Sequence, residues 1–125
     1  MLCLLGIKDK YSWFFKIFFE FYHSFLKRNI LTVIAFKESL KQGILPEGLS
    51  VHLQALWYDA KGDWHLAHSL IDQLEDKTSA HVHAYLHRKE GDLWNANYWY
   101  NRAKQVMPTT SLEEEWEDLL ELLSE

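Results

Sequence analysis

Apolar residues recur along this chain at intervals of three and four, the period that gathers them on one face of a helix. Between residues 50 and 61 they fall at Leu53, Leu56, Trp57 and Ala60, and between 63 and 75 at Leu66, Ala67, Leu70, Ile71 and Leu74. A second pair of segments, 80–90 and 92–106, carries Leu93, Ala96, Tyr100 and Ala103, with Pro108 just beyond as a breaker. Gly62-Asp63 and Gly91-Asp92 punctuate the two pairs at an offset of 29 residues. Glycine takes the left-handed conformation that closes one helix, and aspartate caps the free amides of the next. The pattern therefore predicts two helical hairpins, over about 50–75 and 79–106, linked through Asp76 to Ser79.

Further elements flank them. Ile30, Leu31, Val33, Ile34 and Leu40 predict a helix from Ile30 to Gln42 that Gly43 stops. Pro46 and Gly48 supply turn chemistry, and Ser50 is placed to cap the next helix. At the other end Leu112, Trp116, Leu119, Leu120 and Leu123 form one stripe over 111–124, with Ser111 and Glu114 in capping-box spacing. Six acids and no base on this last segment predict a solvated outer face, as on a helix that caps a stack. The fold class expected is all-α, six or seven helices, with residues 29–125 as the helical domain and 1–28 as an aromatic N-terminal helix or extension.

Residues 11–28 are the most apolar part of the chain. Trp13, Phe14, Phe15, Phe18, Phe21 and Phe25 are spread over nearly the whole helix circumference, so the segment cannot stand bare in water. Lys8, Asp9, Lys10, Lys16 and Glu20 interrupt it, leaving no charge-free run near the roughly 18 to 20 residues that cross a bilayer. Nor does a secretory signal fit, since no basic stretch precedes a clean apolar core. Burial, or self-association into a homodimer, is the favoured reading; contact with a membrane surface is the weaker one.

Composition narrows the function classes. At 125 residues and 48% hydrophobic content the chain can bury one real core. A single cysteine, Cys3, excludes an internal disulfide framework and a cysteine-based zinc site, which suits a cytoplasmic location. Residues 1–41 hold seven Lys or Arg against three acids, net +4, while 42–125 hold six against fifteen, net −9. The hairpin region should repel phosphates, and nucleic acid is set aside as a partner.

Residues 91–108, GDLWNANYWYNRAKQVMP, resemble the second helix of a tetratricopeptide repeat in their Gly-Asp turn, Ala96, Tyr100, Ala103 and Pro108. The upstream copy matches at Tyr58, Gly62, Asp63, Trp64 and Ala67, but has Ile71 and Leu74 where an aromatic and a second small residue belong. His83 and His87 replace apolar positions, and the 29-residue offset is shorter than the usual 34. The pattern over about 49–118 also resembles a group of short bacterial proteins, a likeness that implies no activity. The tetratricopeptide resemblance, with Sel1-like repeats as its near variant, implies stacked helical hairpins and a binding or scaffolding role.

For binding, His81, Tyr85, Arg88 and Lys89 share one face of the second hairpin's first helix, and His52, Leu56 and Asp59 one face of the first hairpin's. Arg88 and Lys89, cations in an acidic region, are expected to hold the carboxylate of a protein or peptide partner in a groove, without covalent chemistry or a cofactor. A solvated surface pair is the plain alternative. Trp94, Tyr98 and Trp99 form a third cluster, with Tyr98 expected in the core. The rival class is a metal or hydrolytic site of His68, His83 and His87, the last two sharing a face at a spacing of four. Packed, hydrogen-bonded histidines explain that pattern too and are preferred, because HAYLH lacks the glutamate of a zinc protease. No GxSxG or Gly-rich phosphate loop occurs, and a non-enzymatic protein is expected.

Overall fold

A computed structural model describes the backbone of residues 2–125 and the side chains of 12–30 and 32–125. Cys3 and the charges Lys8, Asp9 and Lys10 lie outside the described side chains. All regular elements of the described residues are helices: α1 (Leu2–Gln42), α2 (Val51–Ala60), α3 (Trp64–Ile71), α4 (Lys77–Glu90), α5 (Leu93–Ala103) and α6 (Leu112–Leu123). The chain forms two units, Met1–Thr32 and Val33–Glu125.

The first unit is a helical segment. Two separate N-terminal helices were expected, yet α1 runs from Leu2 to Gln42 without a break. Neither proline nor glycine stands between Ile7 and Gln42, and Asn29 alone does not stop a helix.

In the second unit the boundaries follow capping chemistry. Gly43 closes α1 at φ +71°, and the Ser50 hydroxyl accepts from the Leu53 amide. At Gly62 and Gly91, φ is +86° and +89°, a conformation that costs a side-chain-bearing residue energy and glycine none. Asp63 and Asp92 follow as N-caps, accepting from the Leu66 and Asn95 amides. Ser111 and Glu114 complete the reciprocal capping box of α6. Three ends differ from expectation. Asp76 is itself an N-cap, so α4 begins at Lys77 within the expected link. α3 stops at Ile71, and α5 stops at Ala103 because Lys104 adopts the left-handed conformation at φ +59°.

α2 packs on α3, and α4 on α5; α4 also meets α2 and α3, and α6 lies against α2 and α4. The main core joins Leu56 and Trp57 of α2, Ile71 of α3, Leu86 of α4, and Leu119 and Leu120 of α6. Phe36, on the part of α1 within this unit, joins it beside Trp116. A smaller core joins Ala84, Ala96 and Tyr100 between α4 and α5. Ala67, Ala96 and Ala103 are all buried, and their methyl groups let the helix backbones approach closely. α4 is the middle element: from Val82 to His87 every residue is buried.

Candidate functional site

The six residues expected to floor a groove are drawn into separate partnerships inside the second unit. His52 Nε2 lies 2.8 Å from the Ser79 hydroxyl, which donates to Asp76 and depresses that carboxyl's pKa, so His52 belongs to the cap of α4. Asp59, 2% exposed, accepts from the Tyr85 hydroxyl at 3.1 Å and from Lys89 Nζ at 2.9 Å. Burial and this carboxylate push the Tyr85 phenol up, keeping it a neutral donor. Arg88 donates to the buried Glu115 of α6 and to the Thr110 carbonyl, while the Tyr100 hydroxyl donates to the other oxygen of Glu115. His81 stands beside Tyr100, its pKa lowered by burial.

Two packings underlie these pairings: α2 against α4 joins His52 to Ser79 and Asp59 to Tyr85 and Lys89, and α6 supplies the partner of Arg88. α6 lies against α2 and α4, the helices that were to line the groove, and brings Glu115 to Arg88 and Trp116 to the Leu56 carbonyl. A cleft of about 270 Å³ persists between Asp59, Tyr85, Lys89, Leu112 and Trp116. The expectation that the acids of α6 all face solvent is corrected at Glu115, which is 3% exposed because two donors await it. Tyr98 is corrected too: it is exposed and stacks on Trp94, whereas Trp99 is the half-buried member.

His68, His83 and His87, the alternative metal set, are brought together by α3 and α4. One nitrogen from each lies within 4.8 Å of the other two. Helix periodicity places His83 and His87 one turn apart, and their rings stack with centroids 4.8 Å apart. His68 reaches them edge-on, its Nε2 2.8 Å from His83 Nε2. Two indoles wall the cluster. Trp64 stacks on His68 at 4.8 Å and is anchored by its Nε1 donating to the Leu86 carbonyl; Trp99 stacks on His83 at 3.9 Å.

Outer carboxylates orient two of the rings. His87 Nδ1 lies 2.7 Å from Glu90 Oε1, and a carboxylate only accepts, so Nδ1 carries a ring proton and Nε2 is the atom left to meet a ligand. Asp72 stands 4.0 Å behind His68 Nδ1. His83 has no such support: its Nδ1 is buried without a hydrogen-bond partner. Burial, then the neighbouring rings of His68 and His87, lowers the His83 pKa to about 4, and burial followed by His87 lowers that of His68. At neutral pH His68 and His83 are therefore uncharged donor ligands rather than cations.

Spacing marks His83 and His87 along the chain, with His68 one helix earlier, but not Trp99 as their wall or Glu115 as the partner of Arg88. Neither carried a local signal, since both partnerships join distant segments. A second grouping, His87, Glu90 and Asp92, shares His87; its Asp92 carboxyl is lowered by the Asn95 amide it caps, which accounts for that residue. No known protein family, curated protein or solved structure matches the chain.

Proposed function

We propose that this protein binds one transition-metal ion through His68, His83 and His87. The observation that carries this is the convergence of three imidazole nitrogens within 4.8 Å on a buried face. Hydrogen bonding alone leaves the cluster short of partners. His68 and His83 share one proton between facing Nε2 atoms, His83 Nδ1 has no partner, and the Nδ1 of His87 is held by Glu90, which leaves its Nε2 for a ligand. A cation satisfies converging lone pairs where a proton satisfies one. Glu90 behind His87, and Asp72 more distantly behind His68, supply the carboxylate backing that fixes ligand tautomers at metal sites. Three neutral nitrogens suit zinc, cobalt or nickel and leave a fourth position for water or a ligand.

The scaffold is read as a pair of tetratricopeptide-like hairpins closed by α6, a reading supported by the glycine-aspartate turns and the buried Ala67, Ala96 and Ala103. On it, α3 and α4 carry the ligands from separate helices.

The test is elemental analysis and cobalt titration of full-length protein purified without a histidine tag. One metal per chain is expected, with the visible bands of tetrahedral cobalt, lost in His83→Ala and His87→Ala and retained in His65→Ala. Substoichiometric metal, or metal indifferent to His83 and His87, overturns the proposal.

A second reading, a module that binds a protein segment, is favoured by the cleft beside Lys89 and Trp116. There a partner carboxylate must displace Asp59 from Lys89 or Glu115 from Arg88, which places this reading second. A host protein held by wild type through its acidic segment, and released by Lys89→Ala, reverses the order.

A further inference from the structure

We infer that the aromatic stretch of α1, residues 12–30, is a membrane-surface element that lies along an anionic bilayer without crossing it. The inference is independent of the metal centre.

Within the first unit this stretch has no second described element to cover it, and it is unusually costly to leave wet. Phe14, Phe15 and Phe21 are 71 to 75% exposed, and Trp13 and Phe18 are 67 and 66% exposed. Contiguous apolar surface of this extent marks an interaction site.

The angular distribution chooses the occupant. At about 100° per residue, the polar residues Ser12, Lys16, Glu20, His23, Ser24 and Lys27 fall in a strip about 120° wide. From Ile17 at one edge, through Phe21, Phe14 and Phe18, to Phe15 and Phe19 at the other, the apolar arc spans about 200°, less than the nearly whole circumference expected, and only Arg28 and Asn29 at its C-terminal end interrupt it. A two-helix seam covers only the narrow a/d stripe of each partner, so a second copy leaves much of that arc wet. A helix half-sunk at the headgroup boundary covers the arc and keeps the polar strip in water. Charge points the same way. Lys16, Lys27 and Arg28 outnumber Glu20, which suits anionic headgroups. Trp13 is the one large apolar residue inside the polar strip, between Glu20 and Ser24. Crossing is excluded for the described helices: none is long and apolar enough to span a membrane.

The experiment is flotation of the full chain with vesicles of phosphatidylcholine alone or mixed with phosphatidylglycerol, beside light scattering without lipid. The variant is Phe18→Glu with Phe25→Glu, in the middle of the apolar arc and outside the core of residues 33–125. Wild type should float with the mixed vesicles, at least tenfold better than with phosphatidylcholine alone, and lose this preference at high salt; the variant should stay in solution. Flotation of wild type and variant alike, or of wild type equally with both vesicles, overturns the inference. So does failure to float, whether the chain is then a monomer or an oligomer that the same variant disperses; the oligomer assigns the arc to further copies of this chain.

Discussion

If the proposed site binds metal, replacing His83 by phenylalanine should abolish that binding, and it should also relieve the protein of an acid-sensitive weakness. The substitution keeps an aromatic ring against Trp99, whose centroid lies 3.9 Å away, and removes a buried nitrogen that has no partner. An unsatisfied buried group costs about 1 to 3 kcal/mol, and the hydrogen bond surrendered to the part-exposed His68 is worth about 1 kcal/mol, so at pH 8 the metal-free variant should match wild type or exceed it by up to about 2 kcal/mol. Acid separates them further. The folded pKa of about 4 lies below the ordinary 6.5, so between those values the unfolded chain holds more protons on this ring and stability falls as pH falls. The contribution is intact above pH 6.5. Wild type should lose about 2 kcal/mol through His83 by pH 5 and about 3 kcal/mol by pH 4, and phenylalanine removes that loss. His68 and His81, also lowered, titrate in both proteins, so the difference between the two reads His83 together with its coupling to His68. Urea unfolding with a chelator, at pH 8 and pH 5, measures it. With zinc at a hundredfold over its dissociation constant, wild type should gain about 2.7 kcal/mol and the variant nothing. A variant that loses as much stability on acidification as wild type, or that zinc still stabilises, refutes the reasoning.

Glu90→Gln should weaken metal binding roughly 10- to 100-fold in a competition titration, because an amide donates as well as accepts and so neither fixes the proton on His87 Nδ1 nor supplies the carboxylate's charge behind the ring. Glu115→Leu should destabilise by about 3 to 5 kcal/mol in urea unfolding, since it strands the part-buried guanidinium of Arg88 and the Tyr100 hydroxyl; Glu115→Gln, which still accepts, should cost less. Ser111→Ala should cost about 1 kcal/mol, seen as a shift of the unfolding midpoint at constant slope, by removing the acceptor for the Glu114 amide.

Local signals made the helices of residues 43–125 legible in advance. The glycine-aspartate turns, Ser50, Ser111 with Glu114, and the small residues at 67, 96 and 103 act within one or two turns of chain, so their physics is written in neighbouring residues. Termini were read less well where the deciding event was not local to the pattern: Lys104 closes α5 in a conformation that glycine or asparagine would have advertised. The histidine trio was half legible. Spacing put His83 and His87 on one face, but nothing in the chain says that His68 arrives edge-on at 2.8 Å.

What the sequence by itself determined is therefore the all-helical character, the two glycine-aspartate turns with their caps, the caps at Ser50 and Ser111, and the strongly apolar stretch of residues 11–28, all set by periodicity and backbone preference. Only the tertiary structure decided the chemistry of the charged residues. Arg88 and Lys89 look like free cations along the chain, but α6 and α2 deliver Glu115 and Asp59 to them, because a charge near the interior is stable only beside its opposite. The same packing withdraws water from His68 and His83 and holds them neutral. Neutrality turns histidines that sequence reasoning preferred to treat as packing into candidate ligands.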